Sequence, residues 1–119
     1  MNNPIDISIT VAGKEIPAQQ GMINLSSLNF YEDNPRLYTI IAAQGGDRSQ
    51  QSIYKKLLGM QHVVDLVGTV RANGGLIDPL VVRDGDYVVL EGNSRLAALR
   101  RLAELDPRLR CFIETRLLG

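Results

Sequence analysis

The sequence predicts an α+β domain, because strand-patterned and helix-patterned runs share one short chain with no linker between them. Three observations carry that expectation. Residues Ile5 to Val11 alternate apolar and polar side chains with period two, which reads as a half-exposed strand. Val63, Leu66, Val67 and Val70 fall at i, i+3, i+4 and i+7, which reads as one face of a helix. Leu80-Val81-Val82 and Tyr87-Val88-Val89-Leu90 flank Asp84-Gly85, the dipeptide that most strongly signals a hairpin.

The remaining elements follow in order. Ala12-Gly13 turns the first strand, and Lys14 to Ala18 returns as a short second one, which Pro17 places at a sheet edge. Met22 to Leu25 reads as a third strand. Asn29 to Leu37 reads as a polar loop, with Asn34 held in extended geometry by Pro35. A short helix is expected over Ser49 to Leu58, with Asp47 and Gln50 at capping-box spacing and Gly59 at its end. The helix carrying Val63 to Val70 should stop at Gly74-Gly75. A last helix runs from Ser94 to Leu105 with Leu96, Leu99, Leu102 and Ala103 inward; Pro107 stops it, and Arg110 to Leu117 closes the sheet.

The chain has 119 residues, enough for one hydrophobic core, with 45% hydrophobic and 22% charged side chains, as in ordinary globular domains. Its 13 basic and 13 acidic residues cancel. A module that grips duplex DNA through phosphates shows a basic excess, so this domain alone should bind DNA weakly. The lone Cys111 fits a reducing compartment, and Met1-Asn2-Asn3-Pro4 has no signal-peptide pattern. No apolar run approaches membrane-spanning length. A cytoplasmic protein is expected.

The chemistry concentrates where strand meets helix, at Leu90-Glu91-Gly92-Asn93-Ser94-Arg95. Glycine lets the chain turn sharply and lets a ligand approach closely. Asn93 or Ser94 can cap the helix, while outward amides and the helix dipole attract an anion. Arg95 in the first turn opposes the dipole unless something negative lies nearby. The alternative is a plain strand-to-helix connection with Arg95 solvated.

The run Gly74-Gly75-Leu76-Ile77-Asp78-Pro79-Leu80-Val81-Val82, a hairpin, and Glu91-Gly92-Asn93-Ser94-Arg95-Leu96-Ala97-Ala98-Leu99 resembles the N-terminal domain of ParB-type partition proteins, whose superfamily includes sulfiredoxin. Asn34-Pro35-Arg36 matches the asparagine-proline-arginine element expected upstream, and the resemblance spans about Leu25 to Thr115. It implies a compact mixed β-sheet with flanking helices and a glycine-arginine turn that holds nucleotide phosphates. ParB itself binds and hydrolyses CTP and clamps DNA; relatives include free-serine kinases and proteins described as nucleases. ParB has glycine-glutamate-arginine-arginine where this chain has Gly92-Asn93-Ser94-Arg95, and Asn93 stands where sulfiredoxin has its reactive cysteine. Sulfiredoxin chemistry is therefore not expected. ParB continues into a helix-turn-helix DNA reader that this sequence does not contain, so DNA should be reached only through a further domain or partner.

The resemblance thus implies a nucleotide- and phosphate-binding module associated with DNA partition, regulation or DNA processing. Its expected ligand is CTP or ATP with Mg2+, on Gly92, Asn93, Ser94 and Arg95, with Asn34 and Arg36 contributing from the loop. Alternatives are a magnesium-dependent phosphotransferase or nuclease in which Glu91 is catalytic, as metal ligand or base, and a protein-interaction domain with a vestigial anion site. A homodimer stays open. Each residue also has a plainer role: Glu91 as a solvated strand end or a partner for Arg95, Arg36 as a surface arginine, Asn34 as the anchor of its own loop. Glu32 and Asp33 read as solvated. His62 reads as structural, without ligands at metal spacing. Cys111 reads as a core thiol. Arg100, Arg101 and Arg108 read as a solvated basic face, the place to look for nucleic-acid contacts.

Overall fold

The computed structural model describes residues 5–11, 13–35, 37, 49–73, 79–106 and 112–118. Its elements are β1 (Ile5–Val11), β2 (Lys14–Asn24), a 3₁₀ turn (Leu25–Ser27), β3 (Asn29–Phe30), α1 (Gln50–Leu58), α2 (Gln61–Asn73), β4 (Leu80–Arg83), β5 (Val88–Glu91), α3 (Asn93–Leu105) and β6 (Phe112–Leu118). The strands form one six-stranded mixed sheet in the order β1-β2-β6-β4-β5-β3. The neighbours β1/β2, β2/β6 and β4/β5 are antiparallel; β6/β4 and β5/β3 are parallel. The α+β class and the mixed sheet with helices are as expected.

Alternation along β4 sorts the two faces. Leu80 and Val82 join Phe30, Val89 and Leu117 in the main core beneath the helices, while Val81 turns to a smaller cluster with Ile9 and Ala18 on the other face. The helices close the main core with Ile53 and Leu57 from α1, Val63 from α2, and Leu96 and Ala97 from α3. Along α2, Val63 and Val70 are buried as predicted, whereas Leu66 and Val67 are only partly covered. Along α3 the buried face takes in Ala97 and Ala98 as well as Leu96 and Leu102.

Several expectations need correction. The second and third strands are one, because the chain continues through Gly21 to pair with β6 beyond the end of its pairing with β1. β2 is therefore internal. Pro17 is still accommodated, since it pairs with Ser8 of β1 while β6 begins its register only at Gln19. The polar loop contains β3, held against β5 by the Asn29 amide donating to the Tyr87 carbonyl at 3.0 Å. Helix α1 is capped by Ser49, whose side chain accepts from the Ser52 amide; Asp47 lies outside the described residues. Gly74, Gly75, Pro107, Arg108, Arg110 and Cys111 also lie outside them.

Gln50, free of a capping box, does something else. Its side-chain amide accepts from the Phe30 amide at 2.6 Å and donates to the Phe30 carbonyl at 3.0 Å. One side chain thus replaces a strand neighbour at the β3 edge. Gln50→Ala strands both groups in a half-buried setting and should cost roughly 1–3 kcal/mol in chemical denaturation. A loss below roughly 0.5 kcal/mol would mean that water substitutes for the amide.

The hairpin forms around Asp84-Gly85 as expected, with the Tyr87 amide donating to the Arg83 carbonyl at 3.0 Å. Arg83 pairs with Asp86 at 2.6 Å, which holds the Asp86 carboxyl below its ordinary range. Both groups are exposed, so the pair orders the turn more than it stabilises the domain.

Candidate functional site

The strand-turn-helix junction stands where the sequence puts it. Strand β5 ends at Glu91 and α3 begins at Asn93, so one residue makes the turn. Gly92 adopts φ 105° and ψ 26°, a region that suits glycine. A Cβ there would come within 2.6 Å of Leu80 Cδ2 and 3.0 Å of Arg95 Nη2. Both the backbone and its surroundings therefore demand glycine.

The first helical bond runs from the Leu96 amide to the Gly92 carbonyl at 2.8 Å, and no side chain caps the helix. The expected Asn93 or Ser94 cap is replaced by a left-handed glycine one. The reason is that both side chains are engaged elsewhere. Asn93 is buried; its Oδ1 accepts from the Tyr31 amide at 3.0 Å and its Nδ2 donates to the Val89 carbonyl at 2.9 Å. Its side chain is thus part of the framework, and only its main chain is left for a ligand. The same two bonds tie the upstream loop to the turn.

That tie brings distant residues together. An open cleft of about 710 Å³ is lined by Glu91 to Arg95 and also by Asn34 and Leu37 of the loop. Asn34 sits at the start of a helical turn, its carbonyl accepting from the Leu37 amide at 2.9 Å. Arg36 lies outside the described residues. Leu57 of α1, Leu66 of α2 and Val81 of β4 supply apolar walls.

Within the cleft, Arg95 folds back over Gly92 and its Nη1 reaches the Pro79 carbonyl at 3.5 Å, the limit of a hydrogen bond. Glu91 is exposed; its register opposite Val81, itself opposite Arg116, puts all three on one sheet face. Among the described residues no group of three histidine, cysteine, aspartate or glutamate side chains is placed to hold a metal ion.

His62, read as structural, has a partner that the sequence does not reveal. His62 Nε2 lies 2.9 Å from Ser94 Oγ, joining the first turns of α2 and α3. Two helix N-termini, each carrying partial positive charge, thus meet beside the cleft. No local pattern links positions this far apart, so only the packing of α2 on α3 reveals the pair. The basic face also changes character. Arg100 turns inward, stacking 4.9 Å above the Phe30 ring and donating to the Leu28 carbonyl, and the loss of water lowers its pKa. Arg101 pairs with Glu104 at 3.5 Å, and Glu104 also accepts from the Tyr54 hydroxyl. Burial, then that bond, pushes the Tyr54 phenol up.

Among the described residues no helix is long and apolar enough to cross a membrane. Compared with protein-family models, curated proteins and solved structures, the chain shows no significant match to any.

Proposed function

We propose that this domain is a ParB-like module that binds the phosphates of a nucleotide in the cleft at Gly92 to Arg95. The observation that carries the reading is that Asn34 and the Glu91 to Arg95 turn line one cleft. These are parts of two of the three motifs on which the ParB resemblance rests, and they lie far apart in sequence. Three physical features support an anion there. The turn leads directly into the N-terminus of α3 with its partial positive charge, the first turn of α2 is joined to that of α3 through His62 and Ser94, and Arg95 stands in the first turn of α3. A phosphate would replace the long Arg95 contact to Pro79 with a charge-assisted one. Any magnesium would arrive with the nucleotide, and Glu91 and Asn34, oxygen-bearing side chains of the cleft, would be available to it.

The enzymatic reading, a phosphotransferase or nuclease, needs Glu91 to act as a base or metal ligand; its exposure at the cleft rim leaves it accessible for either role. Thermal shift with CTP, ATP, ADP and GTP, each with and without magnesium, separates the readings. A ligand that binds only the folded state raises the melting temperature by mass action. A shift without turnover supports the module, turnover supports the enzyme, and no shift with any nucleotide defeats both and favours a protein-interaction domain.

The sharper measurement is Arg95→Ala. Removing a charge-assisted contact worth about 1.5–3 kcal/mol should weaken nucleotide binding roughly 10- to 150-fold. The free protein should keep its melting temperature or gain slightly, because an arginine leaves the positive end of a helix. Unchanged affinity with lowered stability would make Arg95 a structural residue.

A further inference from the structure

The two edges of the sheet are treated differently. At β3 the outward N–H and C=O of Phe30 are both taken by the Gln50 side chain, so that edge is closed. At the other end of the strand order lies β1, seven residues long, and among the described residues no strand pairs with its outer side. Proteins blunt such edges with lysine, proline, bulges or shortness. Ile5 to Val11 contains no lysine, arginine or proline, and its register with β2 runs without a shift.

Proline fixes which groups face outward. Pro17 of β2 stands opposite Ser8 and has no N–H to give. The Ser8–Pro17 pair must therefore be of the kind that exchanges no bonds, and the phase of the whole ladder follows. Ile7 and Ile9 bond inward to β2, while the N–H and C=O of Asp6, Ser8 and Thr10 point out from the edge.

We infer that this edge pairs with the same edge of a second copy of the chain, antiparallel about a two-fold axis through Ser8. The strand is its own complement about that residue. Ser8 meets Ser8, Asp6 meets Thr10 and Ile7 meets Ile9, so each outward pair can exchange two backbone bonds and the only charged residue of the strand never faces itself. Ile7 and Ile9 belong to the cluster with Ala18 and Val81, so the apolar row on that face would continue across the axis. The net charge of zero leaves no long-range repulsion between copies. A closed two-fold pairing also uses up the edge, as an isologous interface does.

Sedimentation or light scattering over a dilution series of the whole chain should show a reversible dimer. Its amide exchange should be slowed at Asp6, Ser8 and Thr10. Ser8→Lys puts two like charges opposite each other on the axis and should yield a monomer with an unchanged far-UV spectrum and fast exchange at those amides. Thr10→Lys, placed opposite the partner's Asp6, should tighten the dimer several-fold. A monomer at every concentration overturns the inference. So does a dimer that survives Ser8→Lys with the three amides still exchanging fast, because its interface would lie elsewhere.

Discussion

Gly92→Ala should cost about 3 kcal/mol or more and lower the melting temperature by roughly 10–15 °C. Two independent terms add. A side chain forced to positive φ costs about 1–2 kcal/mol, and 105° lies beyond the left-handed well that other residues tolerate. The new methyl would then press into Leu80, a fully buried core residue, and into the Arg95 guanidinium. Arg95 is the flexible end of a long side chain and can yield; Leu80 cannot move without disturbing the core, and overpacking there costs about 1–3 kcal/mol. Gly85 provides the control. Its φ of 106° is nearly the same, but a Cβ there would meet nothing within 4 Å. Gly85→Ala should therefore lose only the backbone term, and the difference between the two variants measures the packing term. Equal losses would show that Leu80 relaxes freely and that close approach at the turn plays no part.

That contrast bears on what was legible in the sequence. Glycine at the turn, the hairpin at Asp84-Gly85 and the β1 alternation are local patterns, and local patterns translate into local geometry with little help from the rest of the chain. β1 and the helix ending at Leu105 match their predicted limits closely for that reason. The readings that changed all depend on a partner far away. β2 reads as two strands because Gly21 interrupts its pattern, yet pairing with β6 carries it through. β3 hides in a polar loop because its two residues owe their strand geometry to β5 on one side and Gln50 on the other. Gln50 itself carries capping-box spacing but serves as a surrogate strand. Arg100 looks like a surface charge until Phe30 is placed beneath it. In the site, the turn was readable while the roles of its side chains were not. Asn93 is a good capping and turn residue in any sequence, and only the positions of Tyr31 and Val89 turn it into a clamp.

The clamp makes the second large prediction. Asn93→Ala should destabilise the domain by about 2–6 kcal/mol, since it leaves the part-buried Tyr31 N–H and the buried Val89 C=O without this partner, at about 1–3 kcal/mol each. Neither group can recover by a small shift: Val89 is fully buried, and Tyr31 directly follows the β3 strand. The loss should exceed that of Gln50→Ala, because one of the two Asn93 bonds is fully buried whereas both Gln50 bonds are part-buried. On the proposed nucleotide-binding reading, affinity should fall as well, but for a different reason than in Arg95→Ala. Without the clamp the loop bearing Asn34 is no longer tied to the turn, so the cleft has to be ordered on binding and part of the binding energy is spent on that ordering. The two variants therefore separate along two measurements. Arg95→Ala should lose affinity with stability intact, and Asn93→Ala should lose stability first and affinity with it. An Asn93→Ala protein that unfolds like the parent but no longer binds nucleotide would mean that the Asn93 amide touches the ligand directly, and the framework role given to it would be wrong.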